Sequence, residues 1–272
     1  VTRTGDRSYA ATEPPDDRVS RRAFLRTATA TGAAAAGVSL ARFVRYRDEA
    51  HAQPHDGAPP NRRWVMVMDL RLCDGCEKCT EACQTMHHLP KEITWIKVYK
   101  LQSPGGQEYF MPRTCMMCDD PPCAKVCPVS ATYIDREGIV LVDQNKCIGC
   151  RMCMAACPYE ARYFNWRTPP PVANVLAQPS PEWPVPQQKS TVGKCVFCVH
   201  NLRVGKLPGC VEACNMEALY VGDRVRDVAT NGKATVRLSQ FLKDNDAVRL
   251  KEELNTHPRV YYILGHGQHL TF

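Results

Sequence analysis

Hydrophobic positions in this chain come in short runs separated by polar and turn residues, and each run predicts one small element. Trp64-Val65-Met66-Val67-Met68 reads as a strand, and Ile96-Lys97-Val98-Tyr99 as a second. Tyr133-Ile134, a turn from Asp135 to Gly138, and Ile139-Val140-Leu141-Val142 read as a hairpin. Short helices are expected after Cys79, Cys123, Cys153 and Cys210, each carrying the next cysteine. Leu238 to Leu254 has helical character and Val260 to Leu264 is strand-like; both are expected to be tail elements for docking. Residues 168–188 break the pattern. Pro169, Pro170, Pro171, Pro179, Pro181, Pro184 and Pro186 forbid regular structure there. They predict an extended arm lying on a partner, anchored by Trp183, in preference to a passive linker. No run of 18 or more apolar residues occurs, so no membrane-spanning helix is expected.

The first 52 residues read as an address. Ser20-Arg21-Arg22-Ala23-Phe24-Leu25-Arg26 pairs two arginines ahead of a hydrophobic pair. A weakly apolar stretch from Thr27 to Ala41 follows, and Ala50-His51-Ala52 suits signal cleavage. The segment resembles a twin-arginine export signal, in preference to a basic amphipathic helix on a cytosolic protein. Such a route carries folded proteins and suits a chain that receives its cofactor before export.

Composition changes the picture through one residue type. The chain has 272 residues and 16 cysteines, all between Cys73 and Cys214. Such density implies disulfides or metal. The cysteines form four groups: Cys73, Cys76, Cys79, Cys83; then Cys115, Cys118, Cys123, Cys127; then Cys147, Cys150, Cys153, Cys157; then Cys195, Cys198, Cys210, Cys214. Groups one and three share more than spacing. Each has an aspartate four residues ahead (Asp69, Asp143), a glycine between its first two cysteines (Gly75, Gly149) and an alanine before its fourth (Ala82, Ala156). Groups two and four share a widened gap before the third cysteine and an alanine four residues after the last (Ala131, Ala218). The order is therefore A-B-A-B.

Three cysteines at C-x2-C-x2-C wrap a loop around one face of a [4Fe–4S] cube, and a fourth, about a helical turn on, reaches a second cube. Gly75 and Gly149 supply the backbone freedom such a loop needs. Pro128 and Pro158 directly follow a fourth cysteine, completing the bacterial ferredoxin signature in two groups. Structural zinc uses pairs with a longer spacer, as group four alone resembles. Triplets this crowded cannot form independent disulfides. Iron–sulfur chemistry is the better reading, and sixteen thiolates suffice for four [4Fe–4S] clusters.

The clusters also reverse the meaning of the charge. The chain carries a formal +7, of which residues 1–52 supply nine arginines against six acids. Basicity of this kind ordinarily suggests nucleic acid or an acidic membrane. Four clusters, each about −2 with its thiolates, leave the assembled protein near −4, so the basic residues are cluster compensation. Arg71, Arg113, Lys146 and Lys194 stand one or two positions before the first cysteine of each group. Tuning of cluster potential and an ordinary solvated surface remain open for these four. His87, His88 and His200 are expected at the surface or in hydrogen bonds. Met116, Met117, Met152 and Met154 are expected to pack around the cubes, and Trp95, Tyr99, Phe164 and Trp166 to be core. No nucleophile elbow, P-loop or dinucleotide fingerprint is present, so no catalytic site of the chain's own is visible.

With the export signal, the four ordered cysteine groups resemble the four-cluster iron–sulfur subunits of the dimethyl sulfoxide reductase superfamily. Relatives include tetrathionate, polysulfide and arsenate reductase subunits and the NrfC and DsrO proteins. The resemblance covers about residues 62–264. It includes Cys157-Pro158-Tyr159-Glu160-Ala161-Arg162-Tyr163-Phe164-Asn165 and Pro258-Arg259-Val260-Tyr261-Tyr262-Ile263.

The resemblance implies an α+β fold of two pseudo-symmetric bacterial-ferredoxin-like modules, the middle one inserted into the outer one. The outer module would take residues 62–112 and 190–230 and the inner one 113–167, with the proline-rich arm at 168–189 and a C-terminal tail at 231–272. It implies four ligand sets: Cys73, Cys76, Cys79 with Cys214; Cys195, Cys198, Cys210 with Cys83; Cys115, Cys118, Cys123 with Cys157; and Cys147, Cys150, Cys153 with Cys127. Gln84 and Asn215 depart from the signature proline, and each is expected to return a backbone N–H to a cluster.

The implied role is a periplasmic electron relay with no catalysis of its own. It would run between an NrfD-type integral membrane subunit that reacts with quinone and a molybdopterin catalytic subunit. Membrane contact would come only through partners, and no nucleic acid is involved. The alternatives are a molybdenum-free, haem-containing complex of sulfur metabolism or nitrite reduction, and a free-standing polyferredoxin.

Overall fold

A computed structural model describes residues 62–169, 172 and 179–267, and the predicted export signal lies outside them. The elements are short, as the broken hydrophobic pattern requires. In chain order they are β1 (Trp64–Asp69), α1 (Lys78–Met86), β2 (Lys97–Gln102), β3 (Glu108–Arg113), α2 (Pro122–Lys125), β4 (Thr132–Ile134), β5 (Val140–Val142), α3 (Met152–Ala155) and β6 (Tyr163–Phe164). There follow β7 (Val192–Gly193), α4 (Val199–Arg203), α5 (Gly209–Glu212), β8 (Leu219–Asp223), β9 (Val228–Thr230), β10 (Thr235–Arg237), α6 (Leu238–Asp244), β11 (Val248–Arg249) and β12 (Val260–Ile263). The fold is α+β with little helix.

One six-stranded sheet, in the order β10-β9-β8-β1-β12-β11, supports the rest. Its centre explains why β1 reads as an unbroken apolar run. Met66 and Met68 face the main core with the cysteines, while Val65 and Val67 face a second core under α6, so both faces are buried. β8 runs antiparallel to β1 and β12 parallel to it. The same alternation splits β12: Val260 and Tyr262 join the cysteine side, Ile263 the other. Three two-stranded ribbons (β2-β3, β4-β5, β6-β7) complete the fold.

Both predicted hairpin strands and the first two strands form where expected. The C-terminal segment does not behave as a docking tail. β12 is interior, with Val260, Tyr262 and Ile263 at 0% exposure. The helical stretch is shorter than expected: α6 ends at Asp244 and β11 follows, pairing with β12. Phe241 and Leu242 of α6 pack with Tyr220 of β8, so this helix covers the sheet.

The described part of the proline-rich segment is likewise turned inward. Trp183 packs on the rings of His200 (4.4 Å between centroids) and His87 (5.3 Å), so it anchors the segment to its own chain. Val185 and Gln187 are buried. The Gln144 side-chain amide donates to Gln187 Oε1 at 2.6 Å, and the Tyr163 hydroxyl donates to the same oxygen at 3.0 Å. Residues 173–178 lie outside the described part.

Candidate iron–sulfur sites

Each C-x2-C-x2-C loop coils through left-handed backbone. In the first, Gly75 has φ +80° and Glu77 φ +57°; in the third, Gly149 has +70° and Arg151 +61°. Repetition of the same uncommon pair at the same offsets marks one loop built twice. The glycines are needed for space as well. A Cβ on Gly75 would stand 2.4 Å from the Phe110 ring, and one on Gly149 2.4 Å from the Ser190 carbonyl oxygen. The other two groups reach a similar coil with Met117 (φ +46°) and with Phe197 and Cys198 (φ +58° and +47°). Such turns aim backbone N–H groups at a shared anion; the Phe197 N–H donates to Cys195 Sγ at 3.3 Å.

The loops gather cysteines from distant parts of the chain. Cys73, Cys76, Cys79 and Cys214 line one cavity with Val98, Pro112, Ala218 and Leu219. Cys147, Cys150, Cys153 and Cys127 line another with Ala131, Val142 and Val192. Two further groups are knit by mutual charge interaction: Cys83 and Cys210 with Cys195 and Cys198, and Cys115, Cys118, Cys123 and Cys157. None of the sixteen is in a disulfide. Among the described residues, no three His, Cys, Asp or Glu side chains converge closely enough for a single metal ion. Four sulfurs around a cavity suit a cube better than a point, and the residues present therefore fit [4Fe–4S] clusters.

The fourth cysteines are placed differently from expectation. Only α1, of nine residues, carries both Cys79 and Cys83. α2, α3 and α5 have four residues each and end before Cys127, Cys157 and Cys214. There a turn follows, with Ser130, Glu160 and Glu217 at φ +51°, +52° and +56°. Each returns its N–H to the carbonyl of the preceding fourth cysteine, at 3.3, 3.4 and 3.1 Å. Asn215 makes this turn without the proline of its counterparts. Gln84 does not: α1 runs through it, so its N–H belongs to the helix ladder and is not offered to a cluster. Its side chain instead donates to the carbonyls of Lys91 (3.1 Å) and Ile93 (2.9 Å), closing the loop after the helix.

Burial governs the chemistry of these thiols. It pushes Cys79, Cys118 and Cys198 up to about 12 and raises Cys83 and Cys210 well above the ordinary thiol range, with neighbouring cysteines adding to the effect. Iron binding must therefore displace protons from them. The four cations ahead of the motifs divide. Arg71 is held by Asp69 (2.6 Å) and Lys146 by Asp143 (3.7 Å), both at partly exposed positions. Arg113 lies over the Tyr99 ring at 5.0 Å. Lys194 alone is buried, at 2% exposure, with Nζ donating to the Cys195 carbonyl at 2.5 Å.

One neighbour of the sulfurs is not singled out by the sequence. Arg162 donates from Nη2 to Cys123 Sγ at 3.0 Å and from Nη1 to Thr132 Oγ1 at 3.2 Å. The available signal was a charge set between Ala161 and the strand Tyr163-Phe164. His87, expected near the surface or in a hydrogen bond, is 1% exposed, with Nε2 3.3 Å from Cys198 Sγ. Burial lowers its pKa to about 3, so it is neutral. His87 thus takes the hydrogen-bonding alternative, whereas two expectations are corrected. Met116 and Met117 are buried, but Met152 is 51% exposed; Trp95 is core, but Trp166 is 66% exposed, under the Arg151 guanidinium at 4.8 Å.

Residues 107–172 match the 4Fe–4S dicluster domain, a span that holds the second and third cysteine groups entire. The chain is 39% identical over 216 residues to a subunit of the selenate reductase of Mesobacillus selenatarsenatis, covering 74% of this chain and 72% of that one. It is 36% identical over 250 residues to a subunit of the tetrathionate reductase of Salmonella typhimurium, covering 90% and 88%. It is 37% identical over 226 residues to the iron–sulfur cluster-binding subunit of menaquinone reductase of Nitratidesulfovibrio vulgaris, covering 74% and 88%. The chain belongs to the iron–sulfur subunits of the dimethyl sulfoxide reductase superfamily. As an iron–sulfur subunit of this family it binds [4Fe–4S] clusters and transfers electrons, and it is not the catalytic component.

Proposed function

We propose that this iron–sulfur subunit holds four [4Fe–4S] clusters in one line, on two pseudo-symmetric ferredoxin-like modules, and relays electrons between two partners. The ligand sets are Cys73, Cys76, Cys79, Cys214; Cys83, Cys195, Cys198, Cys210; Cys115, Cys118, Cys123, Cys157; and Cys127, Cys147, Cys150, Cys153. Bound clusters supply one-electron transfer. Neighbouring cysteines of successive sets support this order. Cys79 interacts with Cys83 and Cys210 of the next set, and Cys195 with Cys115 of the third. Arg162 joins the third set to the fourth through Cys123 and Cys153. The observation that carries the reading is exposure at the two ends. Among the sixteen cysteines only Cys76 and Cys150 are exposed, one in each terminal set. A relay needs an inlet and an outlet, and a buried middle excludes water and competing oxidants.

Pseudo-symmetry draws support from the two cavities. Their linings correspond position by position: Cys73 with Cys147, Cys76 with Cys150, Cys79 with Cys153, Glu77 with Arg151, and Cys214 and Ala218 with Cys127 and Ala131. One partner is an NrfD-type integral membrane subunit that reacts with quinone. The other is a molybdopterin oxidoreductase subunit on the outer face of the membrane, reached after twin-arginine export. Selenate and tetrathionate reductase relatives favour the second partner, and the menaquinone reductase relative favours a quinone at the other end.

The test is metal and haem analysis of the complex purified through this chain from gently solubilised membranes. About 16 iron atoms per chain with one molybdenum or tungsten is expected, and an amino terminus near Gln53. Haem in place of molybdenum would move the chain to a nitrite-reduction or sulfur-metabolism complex. A protein running alone, with no partner subunit, would make it a free carrier. Zinc in place of iron would overturn the reading.

A further inference from the structure

Of the three cations buried among the described residues, Arg259 reaches a carboxylate, Asp119 at 3.4 Å, as does the half-buried Arg203, shared by Asp135 (3.0 Å), Glu137 (3.3 Å) and Glu182 (3.4 Å). Arg162 and Lys194 do not. Among the described residues neither has a carboxylate within 4.0 Å, and their exposures are 7% and 2%. What they meet is sulfur and backbone. Arg162 Nη2 is 3.0 Å from Cys123 Sγ, and its charge also acts on Cys153. Lys194 Nζ is 2.5 Å from the Cys195 carbonyl and 3.8 Å from Met117 Sδ, and its charge acts on Cys195 and Cys123.

The two charges therefore occupy two of the three gaps along the line. Lys194 lies between the second and third sets, Arg162 between the third and fourth. Among the described residues only the set of Cys115, Cys118, Cys123 and Cys157 has a buried cation on both sides; the set of Cys147, Cys150, Cys153 and Cys127 has Arg162 on one side and the exposed Arg151 in its lining. The set of Cys73, Cys76, Cys79 and Cys214 has neither, and its lining includes Asp74 and Glu77. Reduction adds a negative charge to a site that is already anionic. A cation held nearby in a buried place, barely screened by salt, favours that added charge. A carboxylate opposes it.

We infer that Arg162 and Lys194 make the site of Cys115, Cys118, Cys123 and Cys157 the highest-potential station of the four, and that the acidic end site of Cys73 is the lowest. The inference rests on the ligand sets proposed above. It gives the relay a defined shape, in which an electron entering at the Cys73 end moves downhill to the third site and then crosses a step to the Cys150 end. The two cations act as positioning residues for charge, through the ligand sulfurs and without touching any partner's substrate.

The experiment is a potentiometric titration followed by electron paramagnetic resonance on the purified complex, comparing wild type with Arg162→Gln, Arg162→Lys and Lys194→Gln. Each glutamine variant is expected to lower two signals by at least tenfold in the reduction constant, about 59 mV for one electron. The shared signal is the highest in wild type, and the signal that neither variant moves is the lowest. Arg162→Lys, which keeps the charge, shifts the same two signals less than Arg162→Gln. Signals that move together in every variant, or a highest signal that responds to neither, would overturn the inference. If Arg162→Gln binds less iron, Lys194→Gln decides alone, by whether the highest signal falls. Fewer than four signals in wild type would instead count against the four-cluster reading.

Discussion

Ending the chain at His257 will unfold this protein, where loss of a docking tail would only detach a partner. The cut removes β12, which lies beside β1 at the centre of the main sheet with Met66 opposite Val260 and Asp69 opposite Ile263. Val260, Tyr262 and Ile263 are each 0% exposed. Burying a side chain of this kind contributes about 1.5–3 kcal/mol, so the three account for about 5–9 kcal/mol. Arg259 is lost with them, and with it hydrogen bonds to the carbonyls of Met117 (2.7 Å), Trp64 (3.1 Å) and Glu137 (3.3 Å). Whole-domain stability is about 5–15 kcal/mol, so the deletion removes most or all of it. Far-UV circular dichroism and iron per chain on the purified truncation are the assays. The expected result is loss of both. A truncated chain with the full-length spectrum and full iron, deficient only in binding its membrane partner, would refute the argument. Ile263→Ala is the graded version, expected to cost about 2–5 kcal/mol in a denaturant titration while retaining iron.

Other perturbations have equally definite outcomes. Gly75→Ala must place a methyl 2.4 Å from the Phe110 ring at φ +80°, and should cost the iron of the first terminal site while sparing the inner pair; iron analysis and cluster spectroscopy read it. Gly138→Ala brings a Cβ to 2.5 Å from Arg259 Nη1 at φ +79°, a strained backbone costing about 1–3 kcal/mol in thermal or chemical unfolding. Gln84→Ala removes two donors from the loop at Lys91 and Ile93, and faster amide exchange there, without iron loss, is the expected signature. Asp227 is held below the usual carboxylate range by Arg237 and by the backbone and hydroxyl of Ser239 at the start of α6. Its contribution is complete above the unfolded value near 3.8 and is lost as pH falls through the lower folded value. Acid should therefore loosen α6, and Asp227→Asn should make amide protection in that helix independent of pH in this range.

What the sequence disclosed depends on how local each signal is. β1 was legible because burial on both faces writes an unbroken apolar run at Val65 to Met68. The hairpin was legible because Gly138 marks its turn. Cysteine spacing revealed the loops, and the family resemblance supplied the cross-chain groupings that the structure brings together. The place of β12 was not legible: its parallel partner lies roughly 190 residues earlier, and no local pattern distinguishes an interior strand from an exposed one. Arg162 and Lys194 escaped for a similar reason, since a lysine in a sequence looks the same whether solvated or enclosed among sulfurs. Trp95 and Trp166 make the point from the other side. Both were expected in the core, but among the described residues Trp95 is buried and Trp166 is 66% exposed. α4 falls in the wide gap of the fourth cysteine group, where the motif carries no helix signal of its own.

The pairing of β1 with β12 also sets a clock for synthesis. At about 5–20 residues per second, the roughly 190 residues between the two strands take about 10–40 s to make. During that interval Trp64–Asp69 waits as an apolar edge, covered on neither side until β8 arrives and closed only by β12. The eight cysteines from Cys115 to Cys157 are complete well before Cys214 has left the ribosome. Loading of iron should therefore begin in the middle of the chain, and the site at Cys73 should be the last to mature.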